Sequence, residues 1–375
     1  ACVRSLHVWH RKAQDRVLEG PDRETNDLSS IPSPINVFIA STPLQLISCS
    51  EARHHYGCSA ETTLLVIARP DNRETEGQMA FLAEALGWQG IETIYLKKSS
   101  FYLRLGAVAK SLSRRRIERL FIGNKSSWIH EVFYRGFDSK QLIFVDDGLA
   151  TVTYYHAIHN EGIASRISAA KKRLLRTMGI RIHRVVPEVI AFFTFFPLQS
   201  SELVQVQVHD FPVFRRTFKI SARNSSQMPT VGFLGQPFGG EDRLQQLKLQ
   251  IQHVVERHPD SRVVYFMHRK ESREELERLL AEFPLEIRQA GRPIEVEVAL
   301  SGETYLAFYS FASTALFTLK KIFPEIRVFQ IDDAALGARL PYYDEIRRMF
   351  RSVGVETTLL RGSRLFEAGR PVQSP

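Results

Sequence analysis

Cysteine is scarce in this chain of 375 residues, which contains only Cys2, Cys49 and Cys58. Three dispersed cysteines are too few for a disulfide framework, and their spacing does not match a zinc site. A chain without such a framework is typical of a reducing compartment, so we expect a cytoplasmic protein.

Long apolar runs are also missing. The longest candidate, residues 189–198, is well short of the ~20 residues that cross a bilayer. Charged residues occur throughout residues 1–30, which argues against a signal peptide. The run 189–198 is rich in phenylalanine, and we interpret it as a buried strand in preference to a segment that rests on a membrane surface.

Negative charge is in deficit, because 41 Asp and Glu stand against 50 Lys and Arg and leave a net charge of +9. This balance favours anionic partners such as a nucleotide, a phosphorylated glycolipid, an acidic membrane face or nucleic acid. Basic residues cluster at 114–116 and 171–184, although such clusters are as often a solvated helix face. Zinc-finger spacing and RNP-type aromatic motifs are absent, so we expect no nucleic-acid partner.

The pattern of apolar residues changes sharply after residue 33. Residues 1–33 show no apolar periodicity and end in a Ser- and Pro-rich stretch, which predicts a leader or a poorly ordered arm. Between 34 and 221, apolar β-type runs alternate with amphipathic stretches, as in βαβ units. The predicted strands are 35–40, 63–68, 91–96, 119–122 and 141–145, and the stretches between them include 44–55, 78–86 and 102–112.

A polar break at 221–229 precedes a second series of elements within residues 222–355. Strands are predicted at 230–234, 262–267, 294–300, 305–309 and 327–331, and helices at 242–257, 273–282, 313–322 and 342–353. Right-handed crossovers would make each half an open, doubly wound sheet. We therefore predict an α/β protein of GT-B architecture, in which two Rossmann-like domains face each other across a cleft, with a tail at 356–375.

An aspartate pair ends one predicted strand of the first half, where Asp146, Asp147 and Gly148 follow the apolar run 142–145. A carboxylate at the carboxyl end of a parallel strand suits a general base that takes a proton from a hydroxyl. Two adjacent carboxylates also disfavour each other's ionisation, which raises the pKa. The alternative interpretation is a turn or a helix cap.

Polar residues also follow strands in the second half. His268 precedes a basic stretch and could donate a hydrogen bond or a proton to a departing phosphate, or be a strand-end histidine without a role. Neither a His-x-x-x-His pair nor a carboxylate triplet lies nearby, so we expect no metal. Ser313 and Thr314 open a helix, where hydroxyls and unpaired amides bind phosphate, although serine there is equally a plain N-cap.

The remaining candidates are contacts for the substrates. Glu295 and Glu297 alternate along the predicted strand 294–300, and one could accept hydrogen bonds from a ribose, or both could face solvent. Gly235 begins a glycine-containing loop that lacks the G-x-G-x-x-G and Walker patterns of NAD and ATP sites. Thr42 followed by proline is a good helix start, with Gln45 close behind it.

In the order of these motifs the chain resembles bacterial sialyltransferases of glycosyltransferase family 52 and the capsular polysialyltransferase type, over roughly residues 35–330. Those families share Thr-Pro-x-Gln after the first strand, matched at 42–45, and an acidic-acidic-Gly motif, matched at 146–148. They share Ser-Ser or Ser-Thr before an apolar helix, matched at 313–314. Of their His-Pro motif only His268 is present, because Arg269 follows it, which leaves the donor sugar open.

The resemblance implies metal-independent, inverting transfer of sialic acid from CMP-sialic acid to a cell-surface glycan such as lipooligosaccharide, capsule or a glycolipid. It implies no cofactor besides the donor, and enzymes of this type are sometimes homodimers. The basic clusters would then fit an anionic acceptor or the inner membrane face. It also implies roles for the matched residues: Asp146 or Asp147 as the base, His268 as the contact or acid at the CMP phosphate, Ser313 and Thr314 as further phosphate ligands, and a glutamate near Glu297 for the cytidine.

Two alternatives stay open on the sequence alone. The same fold could use CMP-Kdo or a nucleotide-linked hexose, because the motifs address the phosphate rather than the sugar. The chain could also be a non-catalytic protein that binds a nucleotide sugar or nucleic acid, which its positive charge permits. Substitution of the aspartate pair separates the classes, since a pure binder would keep its affinity.

Overall fold

The computed structural model describes residues 34–69, 73–161, 165–182, 190–220, 228–236, 242–333, 337–338 and 340–360. The strands in these ranges form one sheet of seven strands and one of six, and every pairing is parallel. The predicted leader, the polar break at 221–227 and residues 361–375 of the predicted tail lie outside the described residues.

The first sheet is built by the amino-terminal half. Its strands are β1 (Ile35–Ala40), β2 (Thr63–Arg69), β3 (Ile91–Tyr95), β4 (Ile117–Ile122), β5 (Ser139–Val145), β6 (Ile190–Thr194) and β7 (Val204–Val208). Its helices are α1 (Pro43–His55), α2 (Arg73–Ala85), α3 (Phe101–Leu112), α4 (Trp128–Gly136), α5 (Ala150–Glu161), α6 (Ala169–Thr177) and α7 (Pro212–Thr217). The strand order is β3-β2-β1-β4-β5-β6-β7, so the winding reverses between β1 and β4.

The second sheet follows the same plan. Its strands are β8 (Thr230–Leu234), β9 (Arg262–Phe266), β10 (Leu285–Arg288), β11 (Tyr305–Ser310), β12 (Arg327–Asp332) and β13 (Glu356–Leu359). Its helices are α8 (Asp242–Arg257), α9 (Arg273–Leu280), α10 (Ile294–Leu300), α11 (Thr314–Ile322) and α12 (Tyr343–Ser352). The order β10-β9-β8-β11-β12-β13 reverses between β8 and β11. Two doubly wound parallel sheets confirm the predicted GT-B architecture.

The central strands are apolar on both faces, which explains why their sequences read clearly. Every residue of β1 and β8 is buried, because helices cover both sides of a parallel sheet. The helix after β1 begins as its sequence predicts: Thr42 is the N-cap, its hydroxyl accepts the Gln45 amide, and Pro43 occupies the first turn.

The prediction of a strand at 294–300 is wrong, since these residues form helix α10. Alternating Ile, Glu and Val suggested a period of two, but the segment starts behind Pro293, whose carbonyl accepts the amides of Val296 and Glu297. Acidic residues in a first helical turn also favour a helix, because they interact with its positive end. The strand next to β9 is instead the short β10, which the sequence did not indicate.

Several elements of the described residues have weak sequence patterns. Strand β7 and helices α5 and α7 lie between residues 150 and 220, where the alternation of apolar runs and amphipathic stretches is blurred. Strand β13 lies within the residues that were predicted as a tail, and it pairs with β12. The phenylalanine-rich run forms the buried strand β6, as predicted for the part of it that is described. Among the described residues no helix is long and apolar enough to cross a membrane.

Helix α11 joins the two halves. The hydroxyl of Thr314 in its first turn accepts a hydrogen bond of 2.9 Å from the amide of Leu149, which follows β5. Farther along, the ring of Phe317 packs 4.9 Å from that of Phe196, which follows β6. The element that opens with the predicted Ser-Thr motif is therefore also a contact between the halves.

Candidate active site

A cavity of about 520 Å³ lies where the carboxyl ends of both sheets meet. Residues that follow β1, β5, β8, β9 and β11 line it, together with part of α2 and the start of α10. Open parallel sheets bind ligands in such a crevice, next to the point where the winding reverses. The predicted site residues that line it are Thr42, Asp147, Gly148, Gly235, His268, Glu295, Ser313 and Thr314.

Asp147 is the carboxylate of the pair that faces the cavity. Its Oδ1 accepts a hydrogen bond from the side-chain amide of Gln45, and its Oδ2 accepts one of 2.9 Å from the phenol of Tyr154. Burial raises the pKa of Asp147 to about 6, and the Asp146 charge adds to the rise. The two hydrogen bonds and the positive charge of Arg269 act in the opposite direction.

Asp146 points the other way, into the protein interior, and is fully buried. Its carboxylate accepts hydrogen bonds from the hydroxyl of Thr194 and from the amide of Phe195, at 2.5 and 2.9 Å. His209 lies 3.4 Å from the same carboxylate. These contacts tie the end of β5 to the end of β6, so the adjacent aspartates have different surroundings.

Gly148 follows the pair in a left-handed backbone conformation that favours glycine. Its φ is +68°, and a Cβ at this position would lie 2.5 Å from the Thr314 hydroxyl oxygen. The turn therefore approaches α11 so closely that a side chain at this position would collide with Thr314. The carboxylate of Asp147 and the amino terminus of α11 lie side by side for this reason.

His268, directly after β9, also lines the cavity. Its Nδ1 accepts a hydrogen bond of 3.2 Å from the amide of Lys270, so the neutral ring carries its proton on Nε2. The backbone amide of His268 donates to the carboxylate of Glu271 at 2.8 Å. Arg269 and Arg292 also line the cavity and make this wall positive.

Ser313 is the N-cap of α11, and its hydroxyl oxygen accepts the amide of Ala315 at 3.3 Å. The plain capping role that the sequence left open is thus present. The serine also lines the cavity, at a helix terminus where unpaired amides attract anions. Capping and anion binding are compatible, because the hydroxyl keeps its own proton to donate.

The two glutamates of α10 have different positions. Glu295 is buried at the cavity wall and accepts a hydrogen bond of 2.5 Å from the hydroxyl of Thr318. Burial raises the pKa of Glu295, which the Thr318 hydrogen bond opposes. Glu297 does not line the cavity, because two residues along a helix turn the side chain to another face.

Gly235 allows a close approach between elements of the second half. A Cβ there would lie 2.3 Å from a carboxylate oxygen of Glu271 and 2.7 Å from the hydroxyl of Tyr265. Residues 237–240 of the glycine-containing loop lie outside the described residues. Gln45, predicted as a substrate contact, does not line the cavity; it is buried and binds Asp147.

Sequence reasoning missed Tyr154, the second partner of Asp147. A tyrosine on a helix after a strand carries no signal in the sequence, since only the turn of α5 brings its hydroxyl back to the aspartate. It also missed the wall that α2 contributes through Glu74, Thr75 and Gln78. Among the described residues, no group of three or more His, Cys, Asp or Glu is arranged to hold a metal ion.

A buried chain of hydrogen bonds lies behind Tyr154. Its hydroxyl is 3.1 Å from the side-chain oxygen of Asn124, and the Asn124 amide donates to Nδ1 of His130 at 3.2 Å. The Nε2 of His130 is 2.7 Å from the hydroxyl of Ser41, which donates to the carbonyl of Ala68. Burial lowers the pKa of His130 to about 3, so this imidazole is neutral.

Comparison with known proteins gives one family and a recurring fold. The model of the alpha-2,8-polysialyltransferase (POLYST) family matches residues 36–331. No curated protein matches the chain significantly.

Solved structures resemble the chain at low sequence identity. The S. aureus MnaA–UDP structure has a TM-score of 0.53 at 10% identity, over 86% of this chain and 91% of that chain. The UDP-GlcNAc 2-epimerase from Neisseria meningitidis bound to UDP-GlcNAc has a TM-score of 0.51 at 10% identity, over 86% and 94%. A 2,6-sialyltransferase from Photobacterium sp. JT-ISH-224, in complex with CMP and lactose, has a TM-score of 0.45 at 12% identity, over 86% and 78%.

The first two likenesses agree with the GT-B fold and show the fold alone. The family match covers well over half of the chain and includes the strands that carry Asp147, His268 and Ser313. This protein therefore belongs to the alpha-2,8-polysialyltransferase family and is a glycosyltransferase of GT-B fold.

Proposed function

We propose that the protein transfers sialic acid from CMP-sialic acid to a hydroxyl of a cell-surface glycan, with inversion at the anomeric carbon and without a metal. The observation that carries this proposal is the position of Asp147. It is a carboxylate with a pKa near 6 in a cavity that the second half lines with His268, two arginines and the amino terminus of α11. A base and an anion site in one cavity are what a displacement at a phosphate-linked sugar needs.

Asp147 acts as the general base. Its carboxylate accepts the proton of the acceptor hydroxyl while the acceptor oxygen forms a bond to the anomeric carbon of the sialic acid. The bond from that carbon to the CMP phosphate oxygen breaks, and CMP leaves with the electron pair. A pKa near 6 suits this role, because the group is ionised at neutral pH and still basic enough to assist. Asp146 is bound to Thr194 and Phe195 instead.

The leaving phosphate is received by the second half of the protein. His268 presents its Nε2 proton as a donor, because Nδ1 is occupied by the Lys270 amide. The hydroxyl of Ser313 and the amides at the start of α11 add donors to the developing negative charge. Arg269 and Arg292 supply positive charge on the same wall, which supports a site that works without a cation.

The nucleoside is held near α10. Glu295, rather than Glu297, lies in the cavity wall, and the Thr318 hydroxyl fixes one of its oxygens. The family description supports sialic acid as the transferred sugar and a sialylated glycan as the acceptor. Thr42, Glu74 and Gln78 line the first-half wall, and we place the acceptor against this wall.

An anionic membrane face is the proposed site of peripheral contact. On α3 the side chains of Tyr102 and Leu103 are 44% and 77% exposed, and on α6 that of Leu174 is 41% exposed. The end of α6 lies close to α3, since a Cβ on Gly106 would lie 3.6 Å from the terminal carbon of Met178, which caps α6. The surrounding exposed basic residues are Arg104, Lys110, Arg173 and Arg176. Apolar side chains among basic ones bind at anionic lipid interfaces.

The direct test is CMP release and product formation from CMP-N-acetylneuraminic acid in the presence of EDTA, with a sialylated oligosaccharide as acceptor. Wild-type protein is expected to turn over, and Asp147→Ala is expected to bind the donor without releasing CMP. His268→Ala is expected to weaken donor binding and slow release. Turnover that requires an added divalent cation would refute the metal-free mechanism.

The donor is tested in the same assay with CMP-Kdo and a UDP-hexose in place of the sialyl donor. The proposal expects transfer from CMP-N-acetylneuraminic acid at a rate at least tenfold above the others, about 1.4 kcal/mol in the barrier. Faster transfer from either substitute would overturn the donor assignment and leave the family and the fold unchanged.

A further inference from the structure

We propose that Tyr154 is a positioning residue whose hydroxyl changes its hydrogen-bond acceptor, from Asp147 to Asn124, when Asp147 takes up the proton of the acceptor. The inference rests on the proposed function, because it describes how the proposed base is prepared for its two protonation states.

The phenol of Tyr154 has one proton and two oxygen acceptors on Asp147 and Asn124, and the hydroxyl of Ser126 is a further neighbour. Its oxygen is 2.9 Å from Oδ2 of Asp147 and 3.1 Å from Oδ1 of Asn124. An ionised carboxylate is the stronger acceptor, so the phenol donates to Asp147 before the reaction. Once Asp147 is a neutral acid, the amide oxygen of Asn124 becomes the better acceptor, and a rotation about one C–O bond redirects the proton.

Asn124 is held with its oxygen toward Tyr154. The amide of Ser127 donates to that same oxygen at 2.8 Å, which fixes the orientation of the side-chain amide. The backbone amide of Asn124 is fixed in turn by Nδ1 of His130. Because His130 is buried and neutral and its Nε2 meets the Ser41 hydroxyl, the second acceptor is part of a rigid network.

The other oxygen of Asp147 has a partner that cannot switch in this way. The Gln45 amide donates to Oδ1, while the carbonyl oxygen of Gln45 accepts the backbone amide of Ser41 at 2.7 Å. A turned amide would place its NH2 group against the Ser41 amide and its oxygen against the Asp147 carboxylate, so both hydrogen bonds would be lost. Gln45 thus orients the carboxylate in both states, and only Tyr154 responds to its charge.

Asp147 faces other titratable or charged groups from each surrounding element. They are Asp146 directly after β5, His268 and Arg269 after β9, Glu74 on α2, and Arg292 and Glu295 at α10. None of them hydrogen-bonds to the Asp147 carboxylate among the contacts of the described residues, whereas Tyr154 does so directly. Burial and the Asp147 charge raise the pKa of Tyr154 far above its ordinary range, so the phenol stays protonated throughout.

The test is the pH dependence of kcat/KM for wild type and for Tyr154→Phe. Loss of a hydrogen bond to the ionised form should move the acid limb up by about one pH unit, the size typical for a bond to a charged group. Tyr155→Phe is the matched control, because the hydroxyl of Tyr155 on the same helix donates to the carbonyl of Gln199 instead. It should leave the limb in place.

Asn124→Ala distinguishes a switch from simple support of the carboxylate. Without the Asn124 oxygen, the Tyr154 phenol has no good acceptor when Asp147 is protonated, so the protonated form of Asp147 is destabilised. The acid limb of the kcat/KM profile should therefore move to lower pH, opposite to the Tyr154→Phe shift. Unfolding temperatures establish that the variants are folded. An unmoved limb in Tyr154→Phe, or shifts of the same sign in both variants, would overturn the switch.

A readout without turnover separates this inference from the proposed function. The Asp147 carboxyl can be titrated by carbon NMR in protein labelled at aspartate, with the same shifts expected in the two variants. If the shifts are present but the wild-type protein transfers no sugar, the proposed function is refuted and the change of acceptor by Tyr154 is supported. If the wild-type protein transfers sugar but the shifts are absent, the change of acceptor is refuted and the proposed function is supported.

Discussion

Asp147→Asn should abolish turnover without destabilising the fold. The substitution removes the proton acceptor while keeping the size of the side chain. General base catalysis contributes roughly 10²- to 10⁴-fold, so kcat/KM is expected to fall by that factor. Donor affinity should change little, because the phosphate ligands lie on the other half.

The stability effect follows from the pKa. The value of Asp147 is raised from 3.8 to about 6 in the folded protein, so ionisation opposes folding. Stability from this group is fully present below the unfolded pKa and is lost as the pH rises through the folded pKa. A shift of roughly 2 units corresponds to at most ~3 kcal/mol, lost between about pH 4 and 6. Asp147→Asn lacks this loss but places its NH2 group against one of the donors on Gln45 and Tyr154, so at pH 7.5 it should unfold close to the wild-type temperature.

The assay combines CMP release with thermal unfolding at pH 5 and pH 7.5. Asp146→Asn is the matched control, because that carboxylate accepts hydrogen bonds from Thr194 and Phe195 inside the protein. Hydrogen bonds to a charged acceptor contribute ~1.5–3 kcal/mol each, so this variant should unfold at a clearly lower temperature. Retained turnover in Asp147→Asn, or equal destabilisation of both variants, would refute the assignment of Asp147 as the base and of Asp146 as the buried structural carboxylate.

Three further outcomes are expected. Gly148→Ala should lower the free energy of unfolding by more than the ~1–2 kcal/mol that a left-handed backbone costs, because its Cβ meets Thr314. Gly57→Ala is the control: with φ +61° and open space around its Cβ, it should lower the free energy of unfolding, measured by chemical denaturation, only by that backbone cost. His268→Ala should weaken CMP binding about tenfold by calorimetry, the effect of one charge-assisted hydrogen bond, and unchanged affinity would contradict its role. Leu103→Glu should reduce binding to vesicles containing phosphatidylglycerol, whereas the equally drastic change at exposed Leu359 should not.

The motifs that follow buried strands were the most predictable part of the site. Strands such as β1, β5 and β9 carry apolar runs that stand out from polar surroundings, and the carboxyl ends of parallel strands meet at one edge. Asp147, His268 and Ser313 could therefore be placed near one cleft from sequence order. The period-two pattern of 294–300 misled because the alternating apolar residues are not the buried set. The residues that α10 buries, Glu295, Val296, Val298 and Ala299, have helical spacing, whereas Leu300 is exposed.

The sequence by itself determined two α/β halves and the turns that carry the polar groups, because alternating apolar runs and helix-start residues act locally. Only the tertiary structure decided that Asp146 faces the interior and Asp147 the cavity, and that Gln45 and Tyr154 bind that carboxylate. Adjacent residues of equal chemistry have the same local preferences. What separates them is which neighbours the folded chain brings from α1, α5 and β6, and contacts between distant segments leave no pattern in one sequence.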